Sequence, residues 1–358
     1  MPAPELMEEI VEEVLLRFPP RDPTCLARAA LVCKRWRRLI SDPGFRRRFD
    51  EFHPTPKMLG LLCNIYSAYH SKLVARFVST SSSCSPLADD GHSWRAEDAR
   101  HGRVLLSCDT TEHVLFMVWD PITGHQQELP AMPRTMFRWR SALIFCAAVG
   151  TCSHLDCRRG PFRVVYMGCG RGGAFTCTYS SEAAAWSEPV SASLPINSGM
   201  AQSVLVGKTL YFKFDRDTLV KKYDCELCKV VSSIPLPLRS IGRSAALITT
   251  EDGGLGCAAL LKYKFHVWSR KADYEVDNGW LKSRVIDLER MLNIVTGLAT
   301  PMDVVGFADG IGTIFFNMDS VIFTIYLKTN KVKEVYNDSA VCSVIPYMGF
   351  CSPENPFL

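Results

Sequence analysis

From residue 5 to residue 18 the apolar side chains Leu6, Met7, Ile10, Val11, Val14, Leu15 and Phe18 recur at three- and four-residue intervals, with Glu8, Glu9, Glu12 and Glu13 among them. That period predicts an α-helix with one broad apolar face and an acidic face opposite. Pro4 suits the first helical position, where a missing N–H has no partner to lose. The early glutamates oppose the positive end of the helix dipole, and Pro19-Pro20 stops the helix. Asp22-Pro23 and Asp42-Pro43 each place an N-cap before a proline at the first helical position. Between them Leu26, Ala29, Cys33, Trp36 and Ile40 keep a helical stripe, with Arg28, Arg35 and Arg38 off it. Three or four short helices in about fifty residues can hardly bury a core of their own. Such a unit is expected to expose part of its apolar face to something else.

Beyond this segment the pattern changes. Gly44 is the only glycine before Gly60, so the rest of the 23 glycines lie beyond it. His53-Pro54-Thr55-Pro56 reads as a short stiff linker and residues 79–85 as a serine-rich loop. Short apolar runs at 103–106, 114–119, 163–167, 203–206, 210–214, 258–261 and 322–327, separated by turn residues, predict strands. Helical periodicity returns only over 286–292. The pattern argues for an all-β propeller, sandwich or barrel.

A repeat chooses among these. Tyr179, Tyr223 and Trp268 stand 44 and 45 residues apart, Trp119 precedes Tyr179 by 60, and Tyr326 follows Trp268 by 58. A period near 40–50 residues, with longer inserts, is what four-stranded blades produce. The predicted fold is therefore mainly β with a small all-α N-terminal module, the β part being a propeller of about six blades closed by shared terminal segments. The expected divisions are residues 1–53 for the helices, 54–58 for the linker, 59–353 for the propeller and 354–358 for a tail.

Composition limits the classes of function. At 358 residues and 47% hydrophobic, the chain can bury one large core, or a large one and a small one. A net charge of +4 is too mild to argue for nucleic acid. The basic cluster Lys34, Arg35, Arg37, Arg38, Arg46, Arg47 and Arg48 is balanced locally by the glutamates of the first helix, Asp42, Asp50 and Glu51, and reads as a solvated face. The acidic N-terminus carries no apolar signal core. No apolar run approaches the ~20 residues that span a bilayer; the nearest, 142–149, has the length of a strand. Fifteen cysteines scattered among apolar neighbours fit reduced, buried thiols, so an intracellular place in cytoplasm or nucleus is expected, with no membrane partner.

The motifs that suggest chemistry fail on context. Gly168-Cys169-Gly170-Arg171-Gly172-Gly173 looks like a dinucleotide loop, but that loop must open a helix, and the strand-like Phe175-Thr176-Cys177-Thr178-Tyr179 follows, so a hairpin turn is expected. Gly207-Lys208-Thr209 mimics the end of a P-loop, yet Gln202 stands where its first glycine is required. Gly242-Arg243-Ser244-Ala245-Ala246 lacks the second glycine of a nucleophile elbow. Cys225-Glu226-Leu227-Cys228 is a lone C-x-x-C pair, whereas zinc normally takes four ligands. Cys146, Cys152, His154 and Cys157 form the best metal candidate, at a spacing that matches no common module. No metal, cofactor or catalytic residue is expected. Trp119, Trp186, Trp268 and Trp280 are expected mostly in blade cores and between blades, with one or two available to line a binding face.

Two ordered sets of residues carry a family resemblance. Pro4-Glu5-Leu6, Ile10, residues 14–20, Leu26, Leu31-Val32-Cys33-Lys34-Arg35-Trp36, Leu39-Ile40-Ser41-Asp42-Pro43 and Phe45 resemble an F-box, although Ala3-Pro4 stands where that family usually begins Leu-Pro. Residues 100–106, Val118-Trp119-Asp120-Pro121, Tyr179-Ser180-Ser181-Glu182, Thr209-Leu210-Tyr211-Phe212, residues 250–256 and residues 345–350 resemble the β-propeller-like F-box-associated regions of plant, especially grass, F-box proteins. The resemblance implies a non-catalytic substrate-recognition subunit of a Skp–cullin–F-box ubiquitin ligase. Pro4, Leu6, Ile10, Leu15, Phe18, Pro19, Val32, Cys33 and Trp36 would bind the Skp-type adaptor and through it the cullin scaffold, while the β-domain would bind a protein target of unknown identity. Alternatives are an F-box scaffold acting outside ubiquitination, or a propeller enzyme or sugar-binding protein with a helical cap.

Overall fold

Four short helices open the chain: α1 (Glu8–Leu16), α2 (Pro23–Val32), α3 (Lys34–Ser41) and α4 (Pro43–Phe52). The computed structural model describes residues 7–19, 23–53, 57–67, 72–80, 84, 87, 91–133, 139–148, 152, 157, 160–170, 173–194, 200–214, 217–238, 245–271, 279–292, 302–338 and 340–349. Pro4, Leu6, His154, residues 242–244 and the tail 354–358 lie outside the described residues.

Asp42 caps α4, its carboxylate accepting from the Phe45 backbone N–H at 3.0 Å, with Pro43 as the first helical residue. What the sequence shows as one stripe from Leu26 to Ile40 is two helices broken at Cys33. That residue is extended, and its Sγ accepts from the Trp36 N–H at 3.5 Å. Val11, Leu15, Leu16, Leu26, Ala29, Ala30, Ile40, Phe45 and Phe49 are buried together, with Phe18, Trp36 and Leu39 packed against them. The module therefore encloses a small core of its own, more than its length suggested. The ion pair between Arg48 and Glu12 joins α4 to α1, while Arg17–Glu13 and Arg47–Glu51 are exposed pairs within single helices.

Six antiparallel sheets follow. β1 (Lys57–Ser67) and β2 (Lys72–Ser79) open the first, so Lys57 and Met58, expected in the linker, already belong to a strand. β3 (Arg95–Arg100), β4 (Arg103–Asp109), β5 (His113–Trp119) and β6 (Gln126–Pro133) form the next, in chain order. β7 (Trp139–Cys146), β8 (Phe162–Gly170) and β9 (Gly173–Ser180) carry the short β10 (Ala185–Trp186) and β11 (Val190–Ser191) on their outer edge. β12 (Met200–Val206), β13 (Thr209–Phe214), β14 (Leu219–Asp224) and β15 (Lys229–Pro235) come next. Then come β16 (Ala245–Thr249), β17 (Leu255–Leu261), β18 (Lys264–Arg270) and β19 (Trp280–Asp287), followed by the short α5 (Leu288–Leu292). The last full blade is β20 (Met302–Ala308), β21 (Thr313–Met318), β22 (Val321–Tyr326) and β23 (Lys331–Asn337).

β24 (Val341–Gly349) then pairs with β1, completing the opening sheet in the order β2-β1-β24. The inner strands form a closed circuit, β24 beside β3, β3 beside β7, β7 beside β12, β12 beside β16, β16 beside β20 and β20 beside β24. This is a six-bladed propeller closed by strands from both ends of the described chain, as the repeat predicts.

The aromatic repeat now has a physical meaning. Trp119, Tyr179, Tyr223, Trp268 and Tyr326 all lie on the third strand of their blades, namely β5, β9, β14, β18 and β22. Four of them are buried, since an aromatic there fills the space between stacked sheets. The long intervals fall where the β7–β8 loop and the segment from β18 to β20 add residues. Trp186 Nε1 donates to Pro130 O at 2.7 Å and Trp280 Nε1 to Pro235 O at 2.8 Å, so each fastens an outer strand to the blade before it. The glycine-rich string is the β8–β9 hairpin, Gly170 facing Gly173, and Gly207-Lys208 is the tight β12–β13 turn, with Gly207 at φ +57°.

Candidate functional site

The stripe of α1 serves two surfaces. Val11 and Leu15 point into the helical core, whereas Ile10 and Val14, each one position earlier, face outward at 46% and 48% exposure, as does Met7 at the N-cap at 63%. The end of α2 does the same: Ala29 and Ala30 are buried, while Leu31 and Val32 are each 65% exposed. The exposed positions of α3 are charged and those of α4 include Phe52 beside Arg47, Arg48 and Glu51, so the apolar side chains of α1 and α2 form a surface that the module's own packing leaves uncovered.

The expected adaptor-facing residues divide accordingly. Ile10, Pro19, Val32 and Cys33 are exposed, and Phe18 and Trp36 are half-buried against the helical core. Leu15 is a correction: it is fully buried among the helices and offers no surface. Met7, Val14 and Leu31 belong with the exposed set instead. The signal for them was present in α1, because a stripe this broad cannot all face one small core.

On the ring, a groove of about 610 Å³ lies between the β3–β6 blade and the β7–β11 blade, lined among others by Arg103, Asp120, His125, Gln127, Phe162 and Glu182. These residues come from the beginning of β4, β6 and β8 and from the β5–β6 and β9–β10 turns. In blades of alternating antiparallel strands all these points share one face of the ring. β1 begins at that same face, since Lys57 pairs with Gly349 at the end of inner strand β24. The ends of the outer strands and the beginnings of the inner strands lie on the opposite face.

Several thiols of the ring are shielded. Burial pushes the Cys63 thiol up to about 11 and those of Cys177, Cys225 and Cys257 up to about 12, and it raises the Tyr223 phenol as well. Desolvated thiols of this kind stay protonated and are poor nucleophiles. Cys225 and Cys228 sit in the β14–β15 turn, where Arg163 Nη1 donates to Cys225 O at 3.1 Å and lies 3.3 Å from Cys228 Sγ. Cys146, Cys152 and Cys157 are brought together, their Sγ atoms within 4.8 Å of one another. Among the described residues no cysteine is in a disulfide, and no helix is long and apolar enough to cross a membrane.

Comparison with known proteins places these two parts. Residues 5–48 match the F-box domain, and residues 95–354 match the β-propeller of AT5G49610-like F-box proteins. A stretch of 145 residues is 23% identical to the Arabidopsis thaliana protein At3g17490, named as an F-box protein, and covers 38% of this chain and 36% of that one. The chain thus spans about a third of the length of this relative. Among solved structures, TolB of Acinetobacter baumannii is similar with a TM-score of 0.46 at 10% identity, covering 84% of this chain and 69% of that one. A Lactobacillus plantarum protein is similar with a TM-score of 0.43 at 9% identity, covering 79% and 83%. At such values these two likenesses say nothing of function. The propeller match alone takes in more than half of the sequence, and with an F-box over its helices the chain belongs to the AT5G49610-like β-propeller F-box proteins of plants.

Proposed function

We propose that this protein is the substrate-recognition subunit of a Skp–cullin–F-box ubiquitin ligase. The observation that carries the reading is the apolar surface of Met7, Ile10, Val14, Leu31 and Val32, left exposed by an F-box module whose own core is already filled. A Skp-type adaptor with a complementary apolar face covers it and connects the chain to a cullin scaffold. Phe18, Pro19, Cys33 and Trp36 border that contact, with Pro4 and Leu6 as its sequence-expected extension.

The propeller holds a protein target, and ubiquitin transfer to the target's lysines is favoured by proximity. The chemistry belongs to the partners: this chain is not an enzyme, needs no cofactor and engages neither nucleic acid nor membrane. The shielded thiols of the ring agree with that division of labour. The reading places the protein in cytoplasm or nucleus.

The test is co-purification of the full chain and of a chain beginning at Lys57 with a Skp-type adaptor, followed by turnover of whatever protein the full chain retains. Binding by the full chain alone, and adaptor-dependent turnover, are expected. Adaptor binding without turnover of any retained protein would favour a scaffold outside ubiquitination, and no binding by either chain would sink the reading.

A further inference from the structure

β7 ends at Cys146, and the chain returns to β8 at Phe162 through a loop that carries Cys152 and Cys157. All three Sγ atoms lie within 4.8 Å of one another; Cys146 and Cys157 are buried and Cys152 is half-buried. In a tetrahedral zinc site each sulfur stands ~2.3 Å from the metal, which sets neighbouring sulfurs about 3.8 Å apart. A contraction of about 1 Å or less would close these three onto a cation. We propose that Cys146, Cys152 and Cys157 form a structural site for a thiophilic divalent cation, zinc above all, that staples the β7–β8 loop to the rim of the ring.

The backbone around the sulfurs is already tied. Cys152 N donates to Ala148 O at 3.0 Å, Gly160 N to Cys157 O at 3.0 Å, and Ala147 N to Pro161 O at 2.9 Å, which clamps the two ends of the loop together. Buried Arg103 donates through Nη2 to Cys157 O at 2.8 Å and also to Gly160 O. Three thiolates around a dication leave one net negative charge, and the Arg103 guanidinium is placed to offset it. Thiolates select soft cations over calcium or magnesium. The fourth position is left to solvent.

The balance is simple. Three S–H bonds break and three metal–sulfur bonds form, with the protons passing to solvent and no oxidant or reductant involved. Because each thiol gives up its proton on binding, uptake should strengthen as pH rises. The loop also supplies Gly160, Pro161 and Phe162 to the groove, so a metal here would fix one wall of it.

The test uses the full chain purified with reductant and without chelator. Metal analysis should find about one zinc per chain. After chelation, titration with cobalt(II) alone should give tetrahedral d–d bands and charge-transfer intensity for three thiolates. Cys152→Ser, at the half-buried position, should weaken cobalt binding by about 100-fold or more with the strand circular dichroism kept, whereas Cys228→Ser should leave it unchanged. Should Cys152→Ser fail to fold, the wild-type cobalt spectrum decides alone. A folded wild-type chain that takes up no stoichiometric metal, a cobalt spectrum without thiolate charge transfer, or full binding by a folded Cys152→Ser variant would each overturn the proposal.

Discussion

Arg100 on β3 reaches Ser203 on β12, two blades further along the ring, and its Nη2 donates to the Ser203 carbonyl at 2.7 Å and hydroxyl at 2.6 Å. The same guanidinium donates through Nε to Asp98 at 3.1 Å, and Asp98 accepts from the Ile144 N–H of β7, also at 3.1 Å. One buried ion pair thereby ties the inner strands of three blades. The cost of burying two charges is offset only while both stay paired and hydrogen-bonded.

Removing one partner is therefore expected to be expensive. Arg100→Ala should cost about 3–5 kcal/mol, because it leaves the Asp98 carboxylate buried without its cation. Adding Asp98→Asn should restore part of the loss, since the two residues form one unit. Denaturant unfolding of the single and double variants measures both effects; a double variant no more stable than Arg100→Ala would contradict the arrangement.

Acidity provides a second check on this pair. Burial raises the Asp98 carboxyl above its ordinary range, and the Arg100 guanidinium pulls it back down. A carboxyl whose folded pKa exceeds its unfolded one stabilises the fold below the unfolded value, and that contribution is lost as pH rises through the folded value. Without Arg100 the folded value climbs further. The stability deficit of Arg100→Ala relative to wild type should accordingly be smaller near pH 4 than near pH 7. Equal deficits at both pH values would show that Asp98 is not ionised against Arg100.

In the helical module, core and surface should separate cleanly. Leu15→Ala empties a fully buried position and should cost about 2–5 kcal/mol of module stability. Val32→Glu or Ile10→Ala, at exposed positions, should leave unfolding within about 0.5 kcal/mol of wild type while abolishing or sharply weakening capture of a Skp-type adaptor. Surface plasmon resonance alongside thermal melts distinguishes them. If Val32→Glu bound the adaptor as wild type does, the exposed face would lose its assignment.

How much of this the sequence made visible follows the range of the forces involved. Local signals were plain: the cap at Asp42, the stop near Pro19, the strands and the hairpin at Gly170 all depend on neighbours within a few residues. The blade repeat was legible because Tyr179, Tyr223 and Trp268 occupy the same strand of successive blades. The break at Cys33 was hidden, because a thiol is an uncommon cap and the apolar stripe runs on through it. Leu15 was assigned to the wrong surface for a related reason: periodicity shows which residues share a broad face, and only packing shows which part of it is covered. The meeting of Arg100 with Ser203, 103 residues apart in sequence, left no local trace.

Gly306 marks a place where two inner strands leave no room. It follows an irregularity in β20, and a Cβ added there would collide with the Val344 carbonyl oxygen of β24. Because the obstacle is backbone, it cannot swing aside. Gly306→Ala should destabilise the ring by about 1–3 kcal/mol as the last full blade is pushed from the closing one. A melting temperature equal to wild type would show that the two strands can separate freely.

Closure itself depends on β24. That strand is the inner member of the closing blade, paired along β1, and the buried Tyr347 donates its hydroxyl to Gly102 O at 3.1 Å, binding the closing blade to the β3–β4 turn of the next. Tyr347→Phe keeps the ring's packing and loses one hydrogen bond, so it should cost about 1 kcal/mol. A chain ending at Asn337 loses the whole strand. It would leave β1 with a bare edge at the axis, and both β3 and β20 without a neighbour on that side. Exposed edges of this sort favour aggregation, so the truncated chain should lose its cooperative melt and leave solution, while Tyr347→Phe melts as one transition slightly below wild type. A soluble truncated chain melting cooperatively at the wild-type temperature would mean that five blades close without the sixth, and that the pairing of β1 with β24 is dispensable.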